Sequence, residues 1–266
     1  MKKKKMLHYI YYFFFIIALI KIINAIDVEK EDDIKSNLSK SNEEVTLNII
    51  SEINITKEIN MNSSIRKIYI SGNSLDSAKL NLKYPIYFGA NIEEIEIKNI
   101  TINGVLFFNK NNEKITLNNV NLNGYINSDF DSNNSNNIEI TKLTYKPTEE
   151  SVENCINLSG NIIIKESTFY GNSSCQNRLL HFNGFEKYTF DLKNSNFNGE
   201  YKCPFLSIEN ALSANIKTSN FEKGYSSKYI DGGYIKEKNY SWLNIIIGID
   251  FFFLFFFIQM IFFCNN

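Results

Sequence analysis

The feature that most constrains the fold is a strand-like pattern that recurs through the middle of the chain. In each unit apolar and polar residues alternate, which is the period of a β-strand with one buried face. Six units align well and a seventh, at the start, is looser; they begin at Ile68, Ile95, Ile115, Ile138, Ile162, Phe190 and Ala214. A later apolar residue in each unit recurs every 20 to 28 positions, at Leu75, Ile102, Leu122, Tyr145, Phe169, Phe197 and Phe221.

Such short spacing leaves no room for a crossover helix between strands, so the units are expected to stack as coils. The sequence therefore predicts an all-β fold, a right-handed parallel β-helix of about seven coils, with the hand following from the usual crossover rule. Two columns should point inward, one containing Ile95, Ile115, Ile138, Ile162, Phe190 and Ala214, the other Ile97, Leu117, Ile140, Ile164, Leu192 and Ile216. Asn99, Asn119 and Asn194 are expected at the bend that follows.

The coil pattern, with its polar bend residue and aromatic turn, resembles that of right-handed parallel β-helix proteins of the pectin-lyase-like type. The segments Ser167–Gly171 and Asn196–Gly199 carry this resemblance, which covers about residues 64–225. It implies the fold, and it raises polysaccharide cleavage as an activity to consider.

Both ends of the chain predict a route to a membrane. A basic start, an apolar run and Ala25 are typical of a signal peptide over residues 1–25, with an uncleaved signal anchor as the alternative. Residues 243–263 are long and apolar enough to cross a bilayer. Small residues at Asp231, Gly232 and Gly233, followed by a polar spacer and this tail, equally fit a lipid-anchor attachment signal.

These features divide the chain into a signal peptide (1–25), a polar N-terminal segment (26–44), a β-helix ectodomain (45–225), a polar stalk (226–242) and the anchor (243–263). The expected localisation is the secretory pathway and the cell surface, with the bulk of the chain extracellular. The formal net charge is −1, which gives no electrostatic reason to expect a nucleic-acid partner.

An exported chain can carry glycans and a disulfide. Eight Asn-x-Ser/Thr sites are candidates for glycosylation, at Asn37, Asn54, Asn62, Asn99, Asn133, Asn157, Asn172 and Asn239. Cys155, Cys175 and Cys203 allow one disulfide. Cys155 and Cys175 are about one repeat apart and could meet on adjacent coils, but the pairing stays open.

No catalytic constellation emerges from the sequence. Glu139 and Asp191 should both point outward, but two layers apart, with Ile163 between them. Asp129 and Asp131 begin like a calcium loop, but the Gly at the sixth position is missing, so we predict neither a metal nor a cofactor.

The expected function is a non-enzymatic, membrane-anchored surface glycoprotein that binds extracellular glycans or surface proteins. The alternative is a diverged polysaccharide lyase or glycoside hydrolase.

Overall fold

A computed structural model describes residues 25–224 and the backbone of one further strand, Gly233–Lys236. This part of the chain is an all-β parallel solenoid of about eight turns, consistent with the predicted right-handed parallel β-helix. Its elements in chain order are β1 Ile26–Val28, α1 Glu31–Leu38, β2 Glu44–Ile49, β3 Glu52–Ile55, β4 Lys67–Gly72, β5 Lys79–Leu82, β6 Ile86–Phe88, β7 Glu94–Phe108, β8 Lys114–Ser128, β9 Asn137–Lys146, β10 Val152–Ser159, β11 Asn161–Lys165, β12 Thr168–Tyr170, β13 Cys175–Asn183, β14 Thr189–Lys193, β15 Asn196–Asn198, β16 Leu206–Glu209, β17 Ser213–Lys217, β18 Asn220–Glu222 and β19 Gly233–Lys236.

The strands form three faces that run the length of the solenoid. Face A contains β1, β2, β4, β11, β14, β17 and the first parts of β7, β8 and β9. Face B contains β3, β5, β12, β15, β18, the middle parts of β7 and β8, and the end of β9. Face C contains β6, β10, β13, β16, β19 and the ends of β7 and β8. All of these pairings are parallel, and each complete coil, from β4 onward, adds one strand segment to each face.

The inward columns form the predicted core. Ile95 pairs with Ile115, and the register continues through Ile138, Ile162 and Phe190 to the end of the column. All members of this first column are buried, and the second column is buried except at its last position, where Ile216 is partly covered. Face B adds an aromatic stack, with ring centroids 6.1 Å apart for Tyr145 and Phe169, 4.4 Å for Phe169 and Phe197, and 5.0 Å for Phe197 and Phe221.

The corner between faces A and B is turned by single residues in the left-handed conformation. Asn99, Asn119 and Asn194 have φ values of 55°, 54° and 51°. These positive φ values confirm the predicted place of the three asparagines at the bend. Asn suits this position because it adopts positive φ more readily than most other non-glycine residues. Other coils use Lys142, Glu166 and Thr218 at the equivalent position.

The start of the solenoid differs from the sequence prediction in two ways. The chain makes about eight turns rather than seven, because β2 and β3 form a coil before the first unit predicted at Ile68. In addition, β1 pairs with β2 and extends face A into the segment described from sequence as polar. Ile34 and Leu38 of α1 are buried against this first coil, so the helix covers its end. In the next coil, Leu80 and not Leu75 pairs with Ile102, because a loop between β4 and β5 replaces the single-residue corner there.

Candidate functional site

In the described part of the chain, a groove lies at the corner between faces B and C. It has a volume of about 990 Å³. Its lining residues come from five successive coils, so the groove runs along the solenoid axis. With coils spaced by roughly 4.8 Å, five coils give a length of about 19 Å. The shape therefore suits an extended ligand that lies parallel to the axis.

A ladder of asparagine side chains forms one side of the groove. Asn81 Nδ2 donates to Asn54 Oδ1 (2.8 Å), Asn103 Nδ2 donates to Asn81 Oδ1 (2.6 Å), and Asn123 Nδ2 donates to Asn103 Oδ1 (2.7 Å). Of these, Asn54, Asn81 and Asn103 line the groove itself. Each amide fixes the orientation of the next, so the ladder presents a preorganised row of polar groups.

A second wall of the groove is the segment between β9 and β10, which belongs to the next coil after Asn123 and is held in place by two hydrogen bonds. Tyr125 Oη donates to the Glu150 carbonyl oxygen, and Thr148 Oγ1 donates to Tyr125 Oη (2.9 Å). Directly after this segment, Cys155 forms a disulfide with Cys175, whose Cα is 5.2 Å away on the next coil. The wall is thus tied to the solenoid both by hydrogen bonds and by a covalent bond.

The floor is made by backbone and by one tyrosine. Gly104 and Gly124 lie side by side in register, and Tyr125 follows Gly124. Burial is the largest cause that raises the pKa of Tyr125, so its hydroxyl stays protonated and remains a donor at physiological pH. Asn127 and Asn157 continue the polar lining onto face C, where Asn157 Nδ2 donates to Asn127 Oδ1 (2.9 Å).

The groove also has a rim of exposed side chains. Tyr84 is 38% exposed, and Lys83 Nζ lies 5.7 Å from the centre of its ring. Glu150 and Glu153 are also exposed, the first in the segment between β9 and β10 and the second in β10. A groove with amides, an exposed aromatic ring and few charges can hydrogen-bond to hydroxyl groups and stack against an apolar ring face.

The acids considered from sequence lie elsewhere, on the outside of face A. Ile163 is in register with both Glu139 and Asp191 and separates them. Glu139 accepts from Lys165 Nζ (2.9 Å), and within β7, two coils before Glu139, Lys98 pairs with Glu96 at the same distance. This surface carries exposed ion pairs, each of which contributes well under about 1 kcal/mol.

Asp129, Asp131, His181 and Cys203 lie outside the groove lining, and each has contacts or burial that the structure describes. Asp129 accepts from the Lys110 backbone, and Asp131 forms an ion pair with Lys110 Nζ (2.6 Å). His181 stacks on Phe130 with ring centroids 5.3 Å apart. Cys203 is a buried free thiol, and burial raises its pKa to about 12. It is therefore a neutral thiol.

The candidate glycosylation sites differ in their surroundings. Asn54 and Asn133 are exposed, whereas Asn62, Asn99, Asn157 and Asn172 are half-buried and Asn37 is buried. In four of the covered sites, Nδ2 donates to a backbone carbonyl oxygen: Asn37 to Asp33 (2.8 Å), Asn62 to Ser39 (3.0 Å), Asn157 to Asn154 (3.3 Å) and Asn172 to Thr148 (3.4 Å).

Several predictions fall outside the described residues. These are the signal peptide, the anchor 243–263, Asn239 and the attachment candidates Asp231 and Gly232, while Gly233 is the first residue of β19. Within the part of the chain that the structure describes, no helix is long and apolar enough to cross a bilayer.

Comparisons with protein-family models, with curated proteins and with solved structures give no match to this chain. The resemblance to pectin-lyase-like proteins stays a prediction from the sequence.

Sequence reasoning did not find the groove. Its residues belong to different coils and to a segment of irregular length, and the alternating pattern that locates strands gives no signal for such a corner. The one available sign was a repeated Asn: Asn103 directly precedes Gly104, and Asn81 and Asn123 lie at the same register on the neighbouring coils.

Proposed function

We propose that this chain is a membrane-anchored surface glycoprotein whose β-solenoid binds extracellular glycans in the groove between faces B and C, without cleaving them. The observation that carries this proposal is the asparagine ladder, which runs along a groove of about 990 Å³ beside an exposed tyrosine. Sites for small and extended ligands are concave and combine apolar surface with a few fixed polar groups.

The chemistry of the lining suits sugars in particular. Amide groups can both donate to and accept from sugar hydroxyls, and an aromatic ring can cover the apolar face of a pyranose. The ladder amides are already oriented by one another, so little side-chain entropy is lost when a ligand binds.

Charge narrows the class of glycan. Lys83, Glu150 and Glu153 are the charged residues of the lining, which leaves the groove with a small excess of negative charge. An acidic polysaccharide would be repelled, whereas a neutral one would not. The proposed ligand is thus a linear neutral glycan.

The test is retention of the full-length chain, purified in detergent, on a panel of immobilised neutral glucan, chitin-derived and galacturonan polymers. We expect retention on a neutral polymer and weaker binding by the Tyr84→Ala variant, by about three- to tenfold, because one stacking contact is lost. Tyr87→Ala is the matched control, since Tyr87 is also exposed (58%) but lies on face C outside the groove. Equal loss in both variants, or no retention at all, would contradict the proposal.

The alternative function, glycan cleavage, is tested in the same experiment. Glu150 and Glu153 lie on the wall of the groove, and two carboxyl groups are what a glycoside hydrolase needs. New reducing ends or unsaturated products, lost in Glu150→Gln or Glu153→Gln, would replace the binding proposal by an enzymatic one.

Membrane anchoring needs its own test, because it depends on the two ends of the chain. Cells that express the full-length chain are treated with a phospholipase that cleaves lipid anchors. Release into the medium would support an anchor at Asp231, Gly232 or Gly233, and resistance to both phospholipase and alkaline extraction would support a span over 243–263. Recovery of the chain in the soluble fraction without treatment would contradict anchoring.

A further inference from the structure

Asn54 stands at one end of the groove and is also a glycosylation candidate. It lies on β3, which is the first strand of face B, so no earlier coil covers it there. Its side chain is exposed and lines the groove. A modification of this residue would therefore start at the N-terminal end of the groove.

The direction of the hydrogen bonds in the ladder leaves the reactive nitrogen free. Each ladder amide donates toward the N-terminal coil, so Asn54 uses its Oδ1 to accept from Asn81. Within the described residues, Asn54 Nδ2 makes no hydrogen bond. Nδ2 is the atom that carries an N-linked glycan, and the ladder can thus keep its geometry when Asn54 is modified.

The rest of the acceptor site is fixed by the helix at the end of the solenoid. Glu31 of α1 accepts from Thr56 Oγ1 (2.8 Å), from the Thr56 backbone N–H (3.1 Å) and from that of Lys57 (3.0 Å). The backbone after Asn54 is therefore held in place, and a glycan attached there has a defined starting point.

We propose that Asn54 carries an N-linked glycan that covers the N-terminal end of the groove and thereby limits the length of the chain that can bind. The part that concerns ligand length rests on the function proposed above. Asn133, the other exposed candidate, does not line the groove, so a glycan there would leave the groove open.

The first measurement is the mass of the peptide that contains Asn54, from the full-length chain produced in eukaryotic cells. We expect a glycan on the natural sequence and on Thr56→Ser, which keeps both the acceptor motif and the hydroxyl group. Thr56→Ala should lose it. If Thr56→Ala does not fold, Asn54→Asp takes its place. That variant removes the glycosylation site and keeps a side-chain oxygen that can accept the hydrogen bond from Asn81 Nδ2. An unmodified Asn54 in the natural sequence would overturn the proposal.

The second measurement tests, without any ligand, whether the glycan on Asn54 covers the groove. A cysteine is placed in the groove by Tyr84→Cys and outside it by Tyr87→Cys, and its reaction with a bulky maleimide is timed. The buried Cys203 thiol should react slowly in all variants. We expect Tyr84→Cys to react several-fold faster when combined with Thr56→Ala than with Thr56→Ser, and Tyr87→Cys to react equally in both. Equal rates at Tyr84→Cys would overturn the proposal.

Binding then separates this proposal from the function it rests on. On a length series of neutral oligosaccharides, long members should bind more tightly to Thr56→Ala than to Thr56→Ser, and short members should bind equally. If no oligosaccharide binds either variant but the labelling difference persists, the glycan covers the groove and glycan binding itself is wrong. If all lengths bind both variants equally, the limit on length is wrong.

Discussion

At the scale of single residues, the floor of the groove depends on glycine. Gly104 and Gly124 have φ values of +146° and +154°, a region that side chains with a Cβ rarely adopt. A Cβ on Gly124 would also overlap the carbonyl oxygen of Gly104 on the preceding coil. Their close stacking follows from the register of β7 and β8.

We therefore expect Gly124→Ala to destabilise the chain by at least about 2 kcal/mol, since backbone strain and overlap with a backbone atom add together. The measurement is the midpoint of thermal or urea unfolding. Gly89→Ala is the control, because a Cβ there would meet only the end of the Asn91 side chain, at 2.9 Å, and Gly89 does not need positive φ. Similar losses in both variants would show that the floor does not require glycine.

Glu31 makes the attachment of the terminal helix dependent on pH. Hydrogen bonds from Lys35 first, and then from Thr56, lower its pKa from the ordinary 4.5 to about 2. Because the folded state holds the carboxylate charged, this contribution to stability is present above about pH 4.5 and is lost as the pH falls toward 2.

The unfolding midpoint of Glu31→Gln should consequently be lower than that of the natural sequence at neutral pH, and the difference should shrink between pH 4.5 and 2. Glu29→Gln, an exposed neighbour, is the control. If the difference in unfolding midpoint does not change with pH, the charge of Glu31 does not contribute to stability and only its packing and neutral hydrogen bonds do.

At the scale of elements, a second asparagine ladder inside the corner between faces C and A joins successive coils. Asn112 Nδ2 donates to the Ile92 carbonyl oxygen (2.6 Å), and Asn136 Nδ2 donates to that of Asn112 (2.6 Å). Both side chains are buried. Gly160 occupies the next position, where no side chain can continue the ladder, and in the described part of the chain Asn136 Oδ1 is left buried without a hydrogen-bond partner.

Removal of one asparagine side chain from this ladder leaves buried carbonyl groups without a hydrogen-bond partner, which lowers the free energy of unfolding by about 1–3 kcal/mol. Asn112→Ala should lower the free energy of unfolding by that amount, as measured by urea denaturation. Asn111→Ala changes the exposed residue beside it and should have little effect. If the two variants unfold alike, the internal ladder does not hold the coils together.

At the scale of the whole molecule, the solenoid is a stack in which each coil contacts mainly its neighbours. In such a protein, stability is close to a sum over coils and their interfaces. The disulfide between Cys155 and Cys175 adds a covalent link between two adjacent coils, next to the wall of the groove.

Replacing both cysteines by Cys155→Ser and Cys175→Ser should cost about 3 kcal/mol, because the closed loop of 20 residues restricts the unfolded chain. Reducing agent should lower the unfolding midpoint of the natural sequence and leave that of the double variant unchanged. Cys203→Ala is a control for loss of a thiol, and reduction should still lower its midpoint. A natural sequence that is insensitive to reducing agent would contradict this link.

By itself, the sequence determined the stacked coils, the inward columns and the asparagine bend, because alternating hydrophobicity is local and repeats whenever a strand must bury one face. The sequence also predicts the signal peptide and the anchor, which lie outside the described residues. The disulfide partner, the extra coil at the start and the groove became clear only from the folded chain. These depend on which coils become neighbours and on how loops of unequal length fold over a corner, and contacts between residues far apart in the chain are not encoded in any local period.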